Sequence, residues 1–146
     1  MTIDTSGNWW IGTEPEDIKS FLDAYTAEEY PSDEFRLAKC KCGSIAFVLE
    51  ADDEEGAAIR KCVSCKEEHF ICDSEEYWAD SNPETCSCFE CGSKETNVGV
   101  GFSLYDDRRA VRWLYIGVRC NNCGILGCFA GWKVGYEPSL QLMDNV

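Results

Sequence analysis

The chain has one histidine, His69, and only 13 lysines and arginines against 27 aspartates and glutamates. A lone histidine leaves no Ser–His or Cys–His nucleophile pairing except through His69 itself, and no phosphate loop is present. The formal net charge of −14 opposes polyphosphate, because Lys and Arg supply most of the affinity for nucleic acid. No apolar run is long enough to span a bilayer, and Met1 to Trp10 has neither the basic start nor the apolar stretch of an export signal. These absences argue against an enzyme, a membrane protein and a secreted disulfide scaffold, and favour a reducing, cytoplasmic compartment.

Cysteine is what the chain has in excess, with 11 in 146 residues. Eight form four close pairs: Cys40/Cys42, Cys62/Cys65, Cys88/Cys91 and Cys120/Cys123. Nineteen residues separate Cys42 from Cys62 and twenty-eight separate Cys91 from Cys120, so each set of four would clamp the ends of a β-hairpin. Zn²⁺ takes four thiolates in a tetrahedron, and two cysteines two residues apart wrap one edge of it from a tight turn. Gly43, Gly92 and Gly124 each follow a pair, where such a turn calls for positive φ. Cys40/Cys42 has one intervening residue and is the unusual member. Two four-cysteine sites with no vacant position are structural rather than catalytic. Two zinc ions are therefore the expected cofactors, taking the net charge to about −18. Lys39, Lys41, Arg60, Lys61 and Lys66 surround the first set and Arg119 adjoins the second, as expected of counter-charges to a dianionic centre or of a small anion-binding patch.

The organisation reads as an acidic helical segment, 1–34, followed by two copies of one unit. Residues 1–35 hold nine acids and one base. Thr13 and Glu16 form a capping box, and Ile18, Phe21, Leu22 and Tyr25 recur at helical spacing, predicting a helix from about Glu14 to Glu28. Its apolar stripe is expected to dock on the body of the protein. Unit one, 35–80, alternates at Ile45, Phe47 and Leu49, turns at Asp52 to Gly56, and returns through Ala57 to Lys61. A third strand follows at Glu68 to Cys72, then a short helix from Asp73 to Ala79 capped by Ser74, with Tyr77 and Trp78 inward. Unit two, 86–136, carries Val98, Val100, Phe102 and Leu104 opposite Gly99, Gly101 and Ser103. It turns at Asp106 to Arg109, continues with Ala110 to Arg119, apolar on both faces, and adds Ile125 to Val134. Glycine on a strand face permits close approach of another chain segment. Residues 137–146 form a tail. Pieces this short make meagre cores alone, which metal would offset.

Cys72, Cys86, Cys128 and His69 remain. Alternation sends His69 and Cys72 to opposite strand faces, which argues against a third site and for Cys72 and Cys128 as buried small hydrophobes. Cys86 is the alternative ligand to Cys88, and His69 the alternative to Cys40. The knuckles Cys62-Val63-Ser64-Cys65, Cys88-Phe89-Glu90-Cys91-Gly92 and Cys120-Asn121-Asn122-Cys123-Gly124 resemble those of the zinc-ribbon superfamily in tandem, over about Lys39 to Val134, and the layout is similar to that of bacterial double-ribbon proteins. The resemblance implies a mainly β fold of two three-stranded antiparallel ribbons with bound zinc. The expected role is a protein-interaction module or adaptor for a protein partner, a basic one by charge. The alternatives are a nucleic-acid-associated regulator using the first knuckles and a thiol- or zinc-responsive switch.

Overall fold

Short alternating segments become strands wherever the two faces of the chain meet different surroundings. The computed structural model describes residues 3–7, 9–106, 108, 110–134 and 140–146. In these residues the strands are β1 (Ile3–Asp4), β2 (Ile11–Gly12), β3 (Glu34–Leu37), β4 (Phe47–Asp52) and β5 (Ala57–Cys62). They continue with β6 (Glu68–Phe70), β7 (Glu84–Thr85), β8 (Thr96–Leu104), β9 (Val111–Cys120) and β10 (Leu126–Lys133). Helices are α1 (Asp17–Tyr25) and α2 (Ser74–Tyr77), with 3-10 turns at Trp78–Asp80 and Leu140–Asp144. The mainly β, antiparallel architecture expected from the alternation is the one adopted. Each Cys₄ set lies on one three-stranded meander, β4-β5-β6 or β8-β9-β10.

The two meanders share one sheet, ordered β10-β9-β8-β4-β5-β6. They meet at a single register pair, Phe47 with Thr96. Two short strands extend the junction: β3 pairs with β8 from Glu34↔Phe102 to Leu37↔Gly99, and β7 pairs with β4 at Glu50 and Ala51. Asn97, almost wholly buried, donates from Nδ2 to the Ile45 carbonyl at 2.9 Å across the seam. One core spans both halves, with Phe47, Leu49 and Ile71 in the same cluster as Val98, Val100, Phe102, Leu114 and Ile116. The meagre separate cores expected from segment length are thus replaced by one larger core.

The opposite face of β8 and β9 is the bare one, and α1 covers it. A Cβ placed on Gly99 would stand 2.5 Å from the Phe35 ring, and one on Gly117 2.5 Å from Ile18 Cγ2 and 2.9 Å from Leu22 Cδ1. Only glycine lets the helix lie this close. Ile18 and Leu22 are fully buried there beside Tyr115 and Leu126, each contributing about 1.5–3 kcal/mol. The apolar stripe therefore docks on the protein's own body.

The helix is shorter than its periodicity predicts. Glu16 makes no side-chain cap; instead the Asp17 carboxylate accepts from the Glu14 N–H at 3.1 Å, a negative group in the first turn where the helix dipole favours it. At the far end Thr26 Oγ1 donates to the Leu22 carbonyl at 2.8 Å and accepts from the Ser32 N–H at 3.1 Å, which stops the helix and turns the chain back. The short helix after β6 also differs: Ser74 is its first residue and not its cap, its hydroxyl bridging the Ala58 N–H and the Ile71 carbonyl. Tyr77 is 42% exposed, while Trp78 packs edge-on to Phe70. The turn Asp106 to Arg109 lies partly outside the described residues.

Residues 140–146 return to the first meander. The Cys72 N–H donates to the Asn145 carbonyl at 2.7 Å, and Asn145 Nδ2 to the Cys72 carbonyl at 2.6 Å. Leu142, Met143 and Val146 pack on the core.

Candidate metal centres

Each cysteine pair sits in a tight turn built from the same two backbone hydrogen bonds. In the turn at Cys62, the Lys66 N–H donates to the Cys62 carbonyl at 3.0 Å and the Cys62 N–H donates to the Glu67 carbonyl at 2.9 Å. Cys88 repeats this with Gly92 and Ser93, and Cys120 with Gly124 and Ile125. Cys40 uses Gly43 and Ser44, one residue earlier in both bonds. The missing residue of the Cys40/Cys42 pair is therefore absorbed by a shorter turn that still brings both sulfurs to one side. Gly43, Gly92 and Gly124 have φ of 96°, 75° and 82°. Lys66 occupies the corresponding place in the remaining turn at φ 67°, so all four turns pass through the left-handed region although only three spell it with glycine.

The four turns converge in pairs. Cys40 and Cys65 sulfurs are 3.5 Å apart and those of Cys42 and Cys62 3.6 Å. Cys88 to Cys123 and Cys91 to Cys120 are each 3.5 Å. Within each set all sulfurs lie within 4.8 Å of one another. A tetrahedron with metal–sulfur bonds of about 2.3 Å has edges of about 3.8 Å, whereas a disulfide needs about 2.05 Å. The distances fit a metal and exclude disulfides; all eleven cysteines are free. Two Cys₄ groups thus stand where metal ions could be held, and four thiolates are the donor set zinc takes in structural sites.

The electrostatics prepare ionised sulfur. The Cys65 N–H, first among several donors, holds the Cys62 thiol down to about 6. The Asn122 side chain and the Ser93 N–H hold Cys91 down to about 6. Their neighbours move the other way. Cys123 is pushed up to about 12, by burial and then by the sulfurs of Cys88, Cys120 and Cys91. The Glu67 N–H draws Cys65 down, but Cys40, burial and the other sulfurs carry it up to about 12. A cluster of thiols crowds negative charge, and a divalent cation relieves that crowding.

The remaining candidates do not join these sets. Cys86 is buried beside Leu49, its N–H donating to the Leu49 carbonyl, and burial raises its thiol to about 11. Cys72 and Cys128 are raised to about 12, again by burial first. His69 lies near the Asn145 carbonyl at 3.4 Å. Among the described residues, the only clusters at ligand distance are the two Cys₄ sets.

The bases near the cysteines have distinct tasks. Arg60 is buried, stacks its guanidinium 4.6 Å over the Phe47 ring and donates from Nε to the Val146 carbonyl at 3.0 Å. Arg119, expected as a counter-charge, is instead a staple. Its Nε donates to the Gly12 carbonyl at 2.7 Å, Nη2 to the Thr13 carbonyl at 3.2 Å, and Nη1 to Asn97 Oδ1 at 2.8 Å. With Gly12 N–H to Gly124 O at 2.8 Å and Leu126 N–H to Trp10 O at 2.8 Å, it ties the N-terminal segment to the second centre. Sequence reasoning picked out the two cysteine sets that converge but missed this tether, whose backbone partners carry no side-chain signature.

Over the same centre, Trp9, Trp10, Phe21, Phe89 and Leu126 help to line an apolar cavity of 440 Å³. Trp9 meets Phe89 edge-on at 4.6 Å, and both remain open, at 46% and 67% exposure. No helix among the described residues is long and apolar enough to cross a membrane. No family model matches this chain, and neither a curated protein nor a solved structure matches it.

Proposed function

We propose that the chain is a structural-zinc protein of tandem zinc-ribbon type, working in the reducing cytoplasm as an interaction module or adaptor for a basic protein partner, with no catalysis of its own. The observation that carries this is the closure of both Cys₄ sets. Four sulfurs at tetrahedral spacing leave no ligand position for a substrate, so a zinc ion in either serves shape. Cys40, Cys42, Cys62 and Cys65 would hold one ion, and Cys88, Cys91, Cys120 and Cys123 the other. Exposed aromatics around the 440 Å³ cavity support a docking role, because aromatic side chains are enriched in interface cores.

Native mass spectrometry of the reduced chain tests the first half and should read two zinc ions. The second half is tested by immobilising the zinc-loaded chain beside its Phe89→Ala variant: a partner retained by the first and lost from the second supports the adaptor role. Equal retention, or none, counts against it. The nucleic-acid reading draws support from one observation, a cavity of 390 Å³ beside the first centre with Arg36, Lys39, Lys41 and Arg60 in its walls. Binding of RNA or DNA that falls steeply with salt would favour it.

A further inference from the structure

Strand β10 is the outermost of the sheet on the side of the second centre. At its start the Leu126 N–H donates outward to the Trp10 carbonyl at 2.8 Å. Strand alternation turns the main chain of Cys128 to the same edge, where no described main chain pairs with it. The 440 Å³ cavity over the second centre has this stretch in its wall, from Leu126 through Gly127 and Cys128 to Phe129. Trp9, Trp10, Phe21 and Phe89 supply further aromatic rings. Gly127 leaves the cavity room, since a Cβ there would meet nothing nearer than Val118 at 3.8 Å. Glu95 is the one carboxylate in the walls, and no lysine or arginine joins it among the described residues. Its main chain is fixed, the N–H donating to Ser93 Oγ at 3.2 Å and the carbonyl accepting from the Asn121 N–H at 3.0 Å. Its side chain is exposed and has no ion pair among the described residues.

Binding pockets run to about 300–1,000 Å³ and are mostly apolar with a few placed polar groups, and this cavity has that size and make-up. A free strand edge beside it suits a polypeptide, because an extended segment takes main-chain hydrogen bonds from the edge and selectivity from the pocket. Charge decides which polypeptide. With Glu95 at the cavity and −14 on the whole chain, a segment carrying lysine or arginine beside its apolar residue is drawn in, whereas a second copy of this acidic chain is repelled. We infer that the cavity seats a bulky apolar side chain on an extended, basic segment of a protein partner. The segment pairs with β10 at Cys128, its apolar side chain enters among Trp9, Trp10, Phe89 and Gly127, and a neighbouring Lys or Arg meets Glu95. The inference rests on the interaction-module reading and names what its partner presents. Cys88 and Cys120 stand in the same walls, so a metal ion in the second centre would hold the seat in shape.

The test is fluorescence polarisation of a labelled heptapeptide, Lys-Thr-Lys-Phe-Lys-Thr-Lys, against the zinc-loaded full chain. Exchanging its phenylalanine for alanine should weaken binding about tenfold. N-methylating every second amide of the peptide should cost about fivefold in one register and leave the other unchanged, as strand pairing requires. In the protein, Gly127→Leu fills the cavity from its wall and should abolish binding, Phe89→Ala should weaken it about tenfold, and Glu95→Gln about threefold. Glu55→Gln, which removes a charge outside the cavity, should leave it within about twofold. Variants are compared at equal zinc content and melting temperature; where Gly127→Leu or Phe89→Ala falls short, Glu95→Gln and the alanine peptide decide. No binding, equal binding of the alanine peptide, equal loss in both N-methyl registers, or equal loss in Glu55→Gln would overturn the seat. A dimer of the chain that Gly127→Leu abolishes would put a second copy there and overturn it as well. A natural partner lost from Phe89→Ala yet held by Gly127→Leu would overturn the seat and leave the adaptor role standing. Peptide binding that obeys the variants, with no partner captured by the immobilised chain, would uphold the seat and count against the adaptor role.

Discussion

Lys66 holds φ 67° in a turn whose three counterparts use glycine, and a residue with a Cβ pays roughly 1–2 kcal/mol to stay there. Part of that returns through its ammonium, which donates to the Val63 carbonyl at 2.9 Å. Lys66→Gly should raise stability by about 0.5–1 kcal/mol, read as a higher denaturant midpoint in the zinc-loaded chain; a lower midpoint would show the turn to be relaxed as it stands. The candidate ligands make a sharper contrast. Cys123→Ser should reduce bound zinc from two ions to one, whereas Cys128→Ser, whose sulfur faces the Ala130 carbonyl at 3.5 Å, should leave two. Ionisation supplies a further check. Cys62 and Cys91 sit at about 6 in the metal-free fold, below the unfolded value, so each is already a thiolate at pH 7.4 and regains its proton only as pH falls through 6. Zinc binding at pH 7.4 should then release fewer than four protons per site, measured by calorimetry in buffers of different ionisation enthalpy. At this scale the cysteine spacing made the candidate site legible. The Lys66 turn was hidden because nothing in the side chain announces its backbone angle.

Helix α1 and the bare face of β8 and β9 form one unit, and the fit between them is tight in one place and loose in another. Gly117→Ala would push a methyl group against Ile18 and Leu22, at 2.5 and 2.9 Å, and should cost about 1–3 kcal/mol. Gly127→Ala meets nothing nearer than Val118 at 3.8 Å and should be close to neutral. Thermal melts of the pair separate the two outcomes, and equal melts would mean the helix does not rest where it is placed. The alternation of Val98, Val100, Phe102 and Leu104 with Gly99, Gly101 and Ser103 was enough to read β8 and to expect a cover. The helix ends were not readable to the residue, because Asp17 and Thr26 set them through bonds to backbone atoms. Strand β3, only Glu34–Leu37, exists through its partner β8 and has no pattern of its own.

Across the whole molecule the two meanders share one sheet and one core. The core passes from Phe47 and Leu49 to Val98 and Ile116 without a break, and Asn97 bolts the seam. Zinc removal by chelator should therefore lower the melting temperature in a single transition, with probes in both halves coincident; two separate transitions would mean that the halves fold independently. The repeat itself was legible from paired cysteines. The seam was not, since Phe47 and Thr96 lie far apart in sequence and nothing local marks them as partners. The N-terminal segment matters most when the second centre fails. Residues Trp10 to Thr13 are held by Gly124, Leu126 and Arg119, so a chain stripped of metal there would loosen its own lid. That segment leads into α1, which covers the glycine-paved sheet surface flanked by Tyr115 and Leu126. Oxidant or metal starvation would thus convert a well-covered fold into one that adheres to its copies, and clumping, more than loss of shape, would be the first sign of damage.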